Sequence, residues 1–120
     1  MQHHLPRRRQ TLVVLCLAVL AAGLAGPPPA AGPEPAPAKT HTVTIEGATF
    51  SPATLTIAAG DSVQWINNDP YPHTATSTAK AFDSGTILTD KSWKTTFAKP
   101  GDYDYICTLH QTMKATVRVQ

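Results

Sequence analysis

Cys107, His110 and Met113 fall within one short run, Cys107-Thr108-Leu109-His110-Gln111-Thr112-Met113. A thiolate and a thioether are soft donors that favour Cu(I), whereas imidazole suits both copper oxidation states. A second imidazole, His73, stands upstream behind the turn Asn68-Asp69-Pro70-Tyr71-Pro72. Two imidazoles, one thiolate and a weak axial thioether are the donors of blue-copper electron-transfer sites. Such a compromise set lets one electron come and go with little ligand rearrangement. Zinc sites also accept Cys and His, but Met is not among their usual ligands, so a zinc-stabilised module fits this set less well. Alone, Met113 would read as core filler and His73 as an ordinary histidine. Together with Cys107 and His110 they read as four metal ligands.

The position of the thiol in the chain sharpens this reading. Met1–Gln10 is polar and basic, with Arg7, Arg8 and Arg9 in a row; Thr11–Leu24 is almost wholly apolar, and small residues and prolines follow. A charged head, a short apolar middle and a small-residue exit describe a secretory signal peptide. It is expected over residues 1–25, with cleavage after Ala25 or Ala31. The apolar run falls short of the roughly 20 residues of a stable span, so membrane attachment would follow only if the segment were retained. Arg8-Arg9-Gln10-Thr11-Leu12 loosely resembles a twin-arginine export signal. Cys16 follows Leu15, where a lipoprotein signal carries a small residue, so it reads as part of the apolar segment. After processing, Cys107 has no partner for a disulfide in an oxidising compartment, here expected to be the periplasm. Binding a metal as thiolate removes that exposure to oxidation.

The elements that must position these ligands begin beyond a proline-rich stretch. Residues 26–38 hold six of the eleven prolines, a composition that cannot pair as a strand or continue a helix. An extended tether is expected there. From residue 39 onward a single domain is expected. It carries seven basic residues (Lys39, Lys80, Lys91, Lys94, Lys99, Lys114, Arg118) and seven acidic ones (Glu46, Asp61, Asp69, Asp83, Asp90, Asp102, Asp104). The net charge of +2 for the whole chain therefore belongs to the N-terminal arginines. A near-neutral domain lacks the basic surface that nucleic-acid binding needs.

Period-two alternation runs through this domain. Val43 and Ile45 share one face of His41–Glu46, Thr54–Ile57 repeats the pattern, and Ser62–Ile66 follows the turn Ala59-Gly60-Asp61. His73–Thr78 and Phe82–Leu88 read as short strands, the second broken at Ser84-Gly85. Trp93, Thr95 and Phe97 share a side, as do Tyr103, Tyr105 and Cys107, and then Ala115, Val117 and Val119. Seven or eight short strands with turns between them, and no helical stretch, predict an all-β sandwich. Cys107 would end one strand facing inward and Met113 would open the next, with His110 in the connection and His73 at another strand end. His41 reads as a solvated histidine at the domain edge, and Trp65, Trp93 and Phe97 as core aromatics.

Cys107-x-x-His110-x-x-Met113 after Gly101-Asp102-Tyr103-Asp104-Tyr105, with Pro72-His73 upstream, resembles the cupredoxins, and its short spacing is most similar to amicyanin, with plastocyanin and pseudoazurin as cousins. The resemblance covers roughly Lys39 to Gln120. It implies a Greek-key β-sandwich with copper near one end, and His73, Cys107, His110 and Met113 match the four ligands by position. Three positions depart from the pattern. Gln111 replaces a proline that often follows the second histidine, restoring an N–H that could face the Cys107 sulfur and raise the potential. Thr74 stands where Asn usually tethers the ligand loop, and a hydroxyl contact between Thr74 and Thr108 is the expected substitute. Ala115 stands where Gly is common.

The function expected is single-electron carriage by one copper ion, in a monomer that meets redox proteins such as a c-type cytochrome or a periplasmic dehydrogenase. Copper binding or delivery without a redox partner is the alternative. Enzymatic copper chemistry is not expected: a trinuclear centre needs further histidine pairs and a binuclear one a second bridging cysteine, and after processing only His41 and no other cysteine remain. Tyr71, Pro70 and Leu109 would frame an apolar patch around the edge of His110.

Overall fold

The structure is a computed structural model that describes residues 23–29 and 36–120. Most of the expected export segment, and residues 30–35 of the expected tether, lie outside the described residues. Residues 23–29 are exposed and carry no regular secondary structure.

Eight strands follow: β1 (Thr40–Glu46), β2 (Thr49–Ser51), β3 (Thr54–Ile57), β4 (Ser62–Asn67), β5 (Thr76–Ser77), β6 (Ser92–Thr96), β7 (Gly101–Ile106) and β8 (Lys114–Val119). They form two four-stranded sheets, ordered β2-β1-β4-β6 and β3-β8-β7-β5. From β2 to β8 the chain passes back and forth between the sheets until β7 and β8 pair as neighbours. That exchange makes β1–β4 and β3–β8 parallel while the other pairs are antiparallel. The all-β sandwich expected from the alternation is the fold observed.

The inward faces carry the apolar half of each alternation. Val43 and Ile45 of β1, Val63 and Trp65 of β4, Tyr105 of β7 and Val117 of β8 are all buried. Trp65 joins the two sheets: its ring lies 5.5 Å from Tyr105, edge to face at 85°, and 5.6 Å from Trp93 on the neighbouring strand. The edge-to-face arrangement matches a positive ring edge to a negative face. Burial pushes the Tyr105 hydroxyl up to about 12, so it stays neutral in the core.

Two expected strands are mostly irregular. His73–Thr78 contributes only the two residues of β5, and Phe82–Leu88 makes only the isolated bridges His73↔Ile87 and Thr76↔Asp83. Scattered backbone bonds, among them Ser77 N–H to the Phe82 carbonyl at 2.9 Å, are supplemented here by side chains. The Ala75 N–H donates to Ser84 Oγ at 2.8 Å, and Gly85, at φ 62°, turns the chain away in a conformation that suits glycine.

His41 is also not simply solvated. Its Nε2 lies 2.9 Å from the Asp61 carboxylate, which accepts the Lys39 N–H at 2.9 Å and the Ala58 N–H at 3.2 Å. Asp61 therefore ties the start of β1 to the turn before β4. The Lys39 amide first, then His41, outweigh desolvation and hold the Asp61 carboxyl below the usual carboxylate range. A carboxyl depressed in the folded state stabilises above its unfolded pKa, and that stability is lost as pH falls through the folded value. Asp61→Asn is therefore expected to lower the melting temperature near neutral pH, with the difference from the parent closing on acidification. Thermal melts across a pH series check this; a gap that stays constant into the acid range would contradict it.

Candidate metal centre

Three donors converge where loops leave β4 and β7. His73 and Cys107 are buried and His110 is exposed, and their donor atoms all lie within 4.8 Å of one another. The Cys107 Sγ is 3.7 Å from His73 Nδ1 and 3.9 Å from His110 Nδ1. Cys107 immediately follows β7, continuing the inward face of Tyr103 and Tyr105. The loop that bears His110 is closed at its base. The Cys107 N–H donates to the Met113 carbonyl at 3.2 Å, and the Met113 N–H to the His110 carbonyl at 2.9 Å. Met113 is 4% exposed and sits just before β8, in phase with buried Ala115, Val117 and Val119.

His73 reaches the site from a loop organised by Asn67 and Asp69. Asn67, at the end of β4, donates from Nδ2 to the carbonyls of Tyr71 at 2.7 Å and Ile87 at 2.9 Å, while its Oδ1 accepts the Asp69 N–H at 2.9 Å. The His73 backbone pairs with Ile87 in both directions, at 3.1 and 2.7 Å. Its ring is held from behind: Nε2 is 2.7 Å from Asp69 Oδ2. An ionised carboxylate only accepts, so Nε2 carries the proton and Nδ1 presents its lone pair toward the sulfur.

Asp69 is in turn cradled by the β1–β2 hairpin. Gly47 and Ala48 form the two-residue turn, with φ values of 59° and 55°. Successive left-handed residues of that kind are the geometry of a type I′ turn and suit the right-handed twist of the flanking strands. Their N–H groups donate to the two Asp69 oxygens at 2.6 and 2.8 Å. Burial acts to raise the Asp69 pKa, but the Ala48 and Gly47 amides and His73 outweigh it and hold it below the usual carboxylate range.

The sulfur and the cysteine loop have their own partners. The Thr74 N–H donates to Cys107 Sγ at 3.4 Å. This is the role expected of Gln111, which makes no such bond in the structure; the donor comes from the residue after the first histidine instead. The expected hydroxyl contact is present, with Thr74 Oγ1 and Thr108 Oγ1 3.0 Å apart and the Thr108 N–H donating to Thr74 Oγ1 at 2.9 Å. Two short threonine side chains thus do the tethering expected of one Asn. Tyr71 and Leu109, on the two ligand-bearing loops, are 65% and 51% exposed.

The donor set fits copper: a thiolate and two imidazoles in a triangle, with a buried thioether on the adjoining segment, are the ligand types of a trigonal copper site with a weak axial group. Fold and donors together define a β-sandwich that carries, at the loops of one end, a cluster of one cysteine and two histidines able to hold a metal ion. Residues 12–119 match the family described as "Cupredoxin-like domain", and the chain belongs to that family. It is 34% identical over 89 residues to the amicyanin of Paracoccus versutus, covering 70% of this chain and 67% of that protein. A solved amicyanin variant in its Cu(I) form superposes with a TM-score of 0.63 at 28% identity, covering 66% of this chain and 80% of that one. The copper-containing nitrite reductase of Thermus scotoductus SA-01 superposes with a TM-score of 0.63 at 31% identity, over 72% of this chain but 23% of the reductase.

Asp69 was legible in the sequence only as a turn residue. A carboxylate four positions before a candidate ligand histidine is the one signal that pointed further, because ligating histidines commonly give their second N–H to a carboxylate. Asp69→Asn keeps the size and loses the charge. It is expected to weaken copper binding about 10- to 100-fold and to raise the reduction potential, since lost negative charge disfavours the more positive Cu(II). Chelator competition and voltammetry check both; parental affinity and midpoint would show that Asp69 does not act on the centre.

Proposed function

We propose that this chain is a soluble single-electron carrier of the blue-copper type, with one copper ion held by His73, Cys107 and His110 and, as the axial group, Met113. The observation that carries this reading is the convergence of the three donor atoms within 4.8 Å, two of them on buried side chains. A bound copper ion supplies the one-electron Cu(II)/Cu(I) couple. The chain's own residues do the rest. Asp69 and the Gly47-Ala48 turn fix the tautomer and direction of His73. The Thr74 N–H draws charge from the Cys107 sulfur. Rigid ligands keep the geometry alike in both oxidation states, so little has to move when charge moves. His110 is the exposed ligand, so its imidazole edge is the port through which an electron leaves or arrives.

Exposed Tyr71 and Leu109 would give that port an apolar rim suited to brief docking. The partners that fit are other redox proteins, a c-type cytochrome or a periplasmic dehydrogenase. Residues 1–25 would serve as the export signal, 26–38 as a tether and 39–120 as the copper domain, placing the mature protein in the periplasm. No catalytic role is proposed. The reductase this chain resembles is matched over only 23% of its length.

Adding Cu(II) to the purified domain is expected to give an intense absorption near about 600 nm from thiolate-to-copper charge transfer, with a reversible midpoint by voltammetry. Cys107→Ser should abolish the colour. A colour that survives this substitution would overturn the ligand assignment, and a colourless Cu(I) protein that gives up its metal readily would favour copper delivery over electron carriage.

A further inference from the structure

Asp83 is exposed and stands outside the ligand set, yet a chain of hydrogen bonds joins it to the cysteine loop. Its Oδ1 accepts the Gly85 N–H at 2.9 Å and the Thr76 hydroxyl at 3.1 Å. The Thr76 hydroxyl has one proton, so it divides it between Asp83 Oδ1 and Thr74 Oγ1, 3.0 Å away, in a three-centre hydrogen bond. Thr74 Oγ1 accepts the Thr108 N–H at 2.9 Å. A hydroxyl oxygen has two acceptor positions and one proton. With Thr76 and the Thr108 amide filling the acceptor positions of Thr74, its own proton goes to Thr108 Oγ1 at 3.0 Å. Thr74 is then fully used, and its orientation depends on every neighbour.

We propose that Asp83 and Thr76 are positioning residues for the metal centre, acting through Thr74 to fix the backbone at Thr108 and with it the adjoining Cys107 sulfur. The anchor end is itself held. Ser84, next to Asp83, accepts the Ala75 N–H at 2.8 Å and donates its own N–H to the Ala75 carbonyl at 3.1 Å. A carboxylate is a strong acceptor for a hydroxyl proton, and it limits the rotamer choice of Thr76, whose branched side chain has few staggered positions. The brace therefore runs from a turn on one side of β5 across to the loop after β7. A single Asn in place of Thr74 would span part of this distance alone; the threonine variant needs the outer carboxylate to hold its line.

The inference rests on copper occupying this centre, but its first test does not use the metal. In the metal-free protein, hydrogen exchange of the Thr108 amide is followed by NMR. Thr76→Val and Asp83→Ala are each expected to speed it about threefold to tenfold, below the effect of a group touching a ligand directly. Thr76→Ser keeps the hydroxyl and should exchange at the parental rate. The double variant should be no faster than Thr76→Val, because a string cut once gains nothing from a second cut. In the copper-loaded protein, release of copper to a chelator should follow the same order. Parental exchange in both Thr76→Val and Asp83→Ala, or Thr76→Ser as fast as Thr76→Val, or additive effects in the double variant, would overturn the brace. Asp83 is exposed, so its variant keeps the test open if Thr76→Val fails to fold. A parent protein that never turns blue would sink the copper reading, while the exchange data would still decide the brace.

Discussion

The Asp69 carboxylate is the contact on which the geometry of the centre depends. It receives two successive amides from the Gly47-Ala48 turn and the Nε2 proton of His73. One ionised group thus joins the first hairpin of the chain to a buried ligand. The turn must adopt left-handed conformations at both positions for its amides to converge. The histidine must keep its proton on Nε2, which leaves Nδ1 for a metal. The cost of burying the charge is offset because all its partners are donors, and three hydrogen bonds replace the water it gives up.

Behind this contact lies a sandwich whose two sheets meet at Trp65 and Tyr105. Tyr105 is two residues before Cys107 on the same strand face, so the packing that seats the tyrosine also sets where the sulfur emerges. Trp65 likewise lies two residues before Asn67, whose amide holds the carbonyls of Tyr71 and Ile87 on either side of the His73 segment. The two ligand-bearing loops are therefore extensions of two strands locked together in the core. A rigid base of this kind suits an electron carrier, since motion of the ligands with each change of oxidation state would slow the exchange.

Much of this was legible in the residues themselves. Alternation in β1, β4, β7 and β8 gave the sandwich, because each of these strands has one buried face and period two is the only way to fill it. Cys107, His110 and Met113 stood out because three soft or borderline donors share one loop. The segment from His73 to Leu88 was harder to read. Its threonines and serines look like strand residues, but their hydroxyls capture backbone and side-chain partners and leave only two residues of regular β5. The origin of the sulfur's N–H donor was also hidden. Gln111 is the residue that departs from the family pattern, but Thr74 sits across the sheet pairing, and a contact between residues far apart in sequence leaves no local trace. The bond between His41 and Asp61, twenty positions apart, leaves no local trace for the same reason.

The central claim is that the protein, not the metal, places the ligands. Crystal structures of the metal-free and copper-loaded forms test it most directly. The account predicts that His73 and Cys107 keep their positions within about 0.5 Å, with the ring still bound to Asp69, and that copper lies among the His73, Cys107 and His110 donors. A His73 ring swung away from Asp69 in the metal-free form, or copper bound elsewhere on the chain, would contradict it.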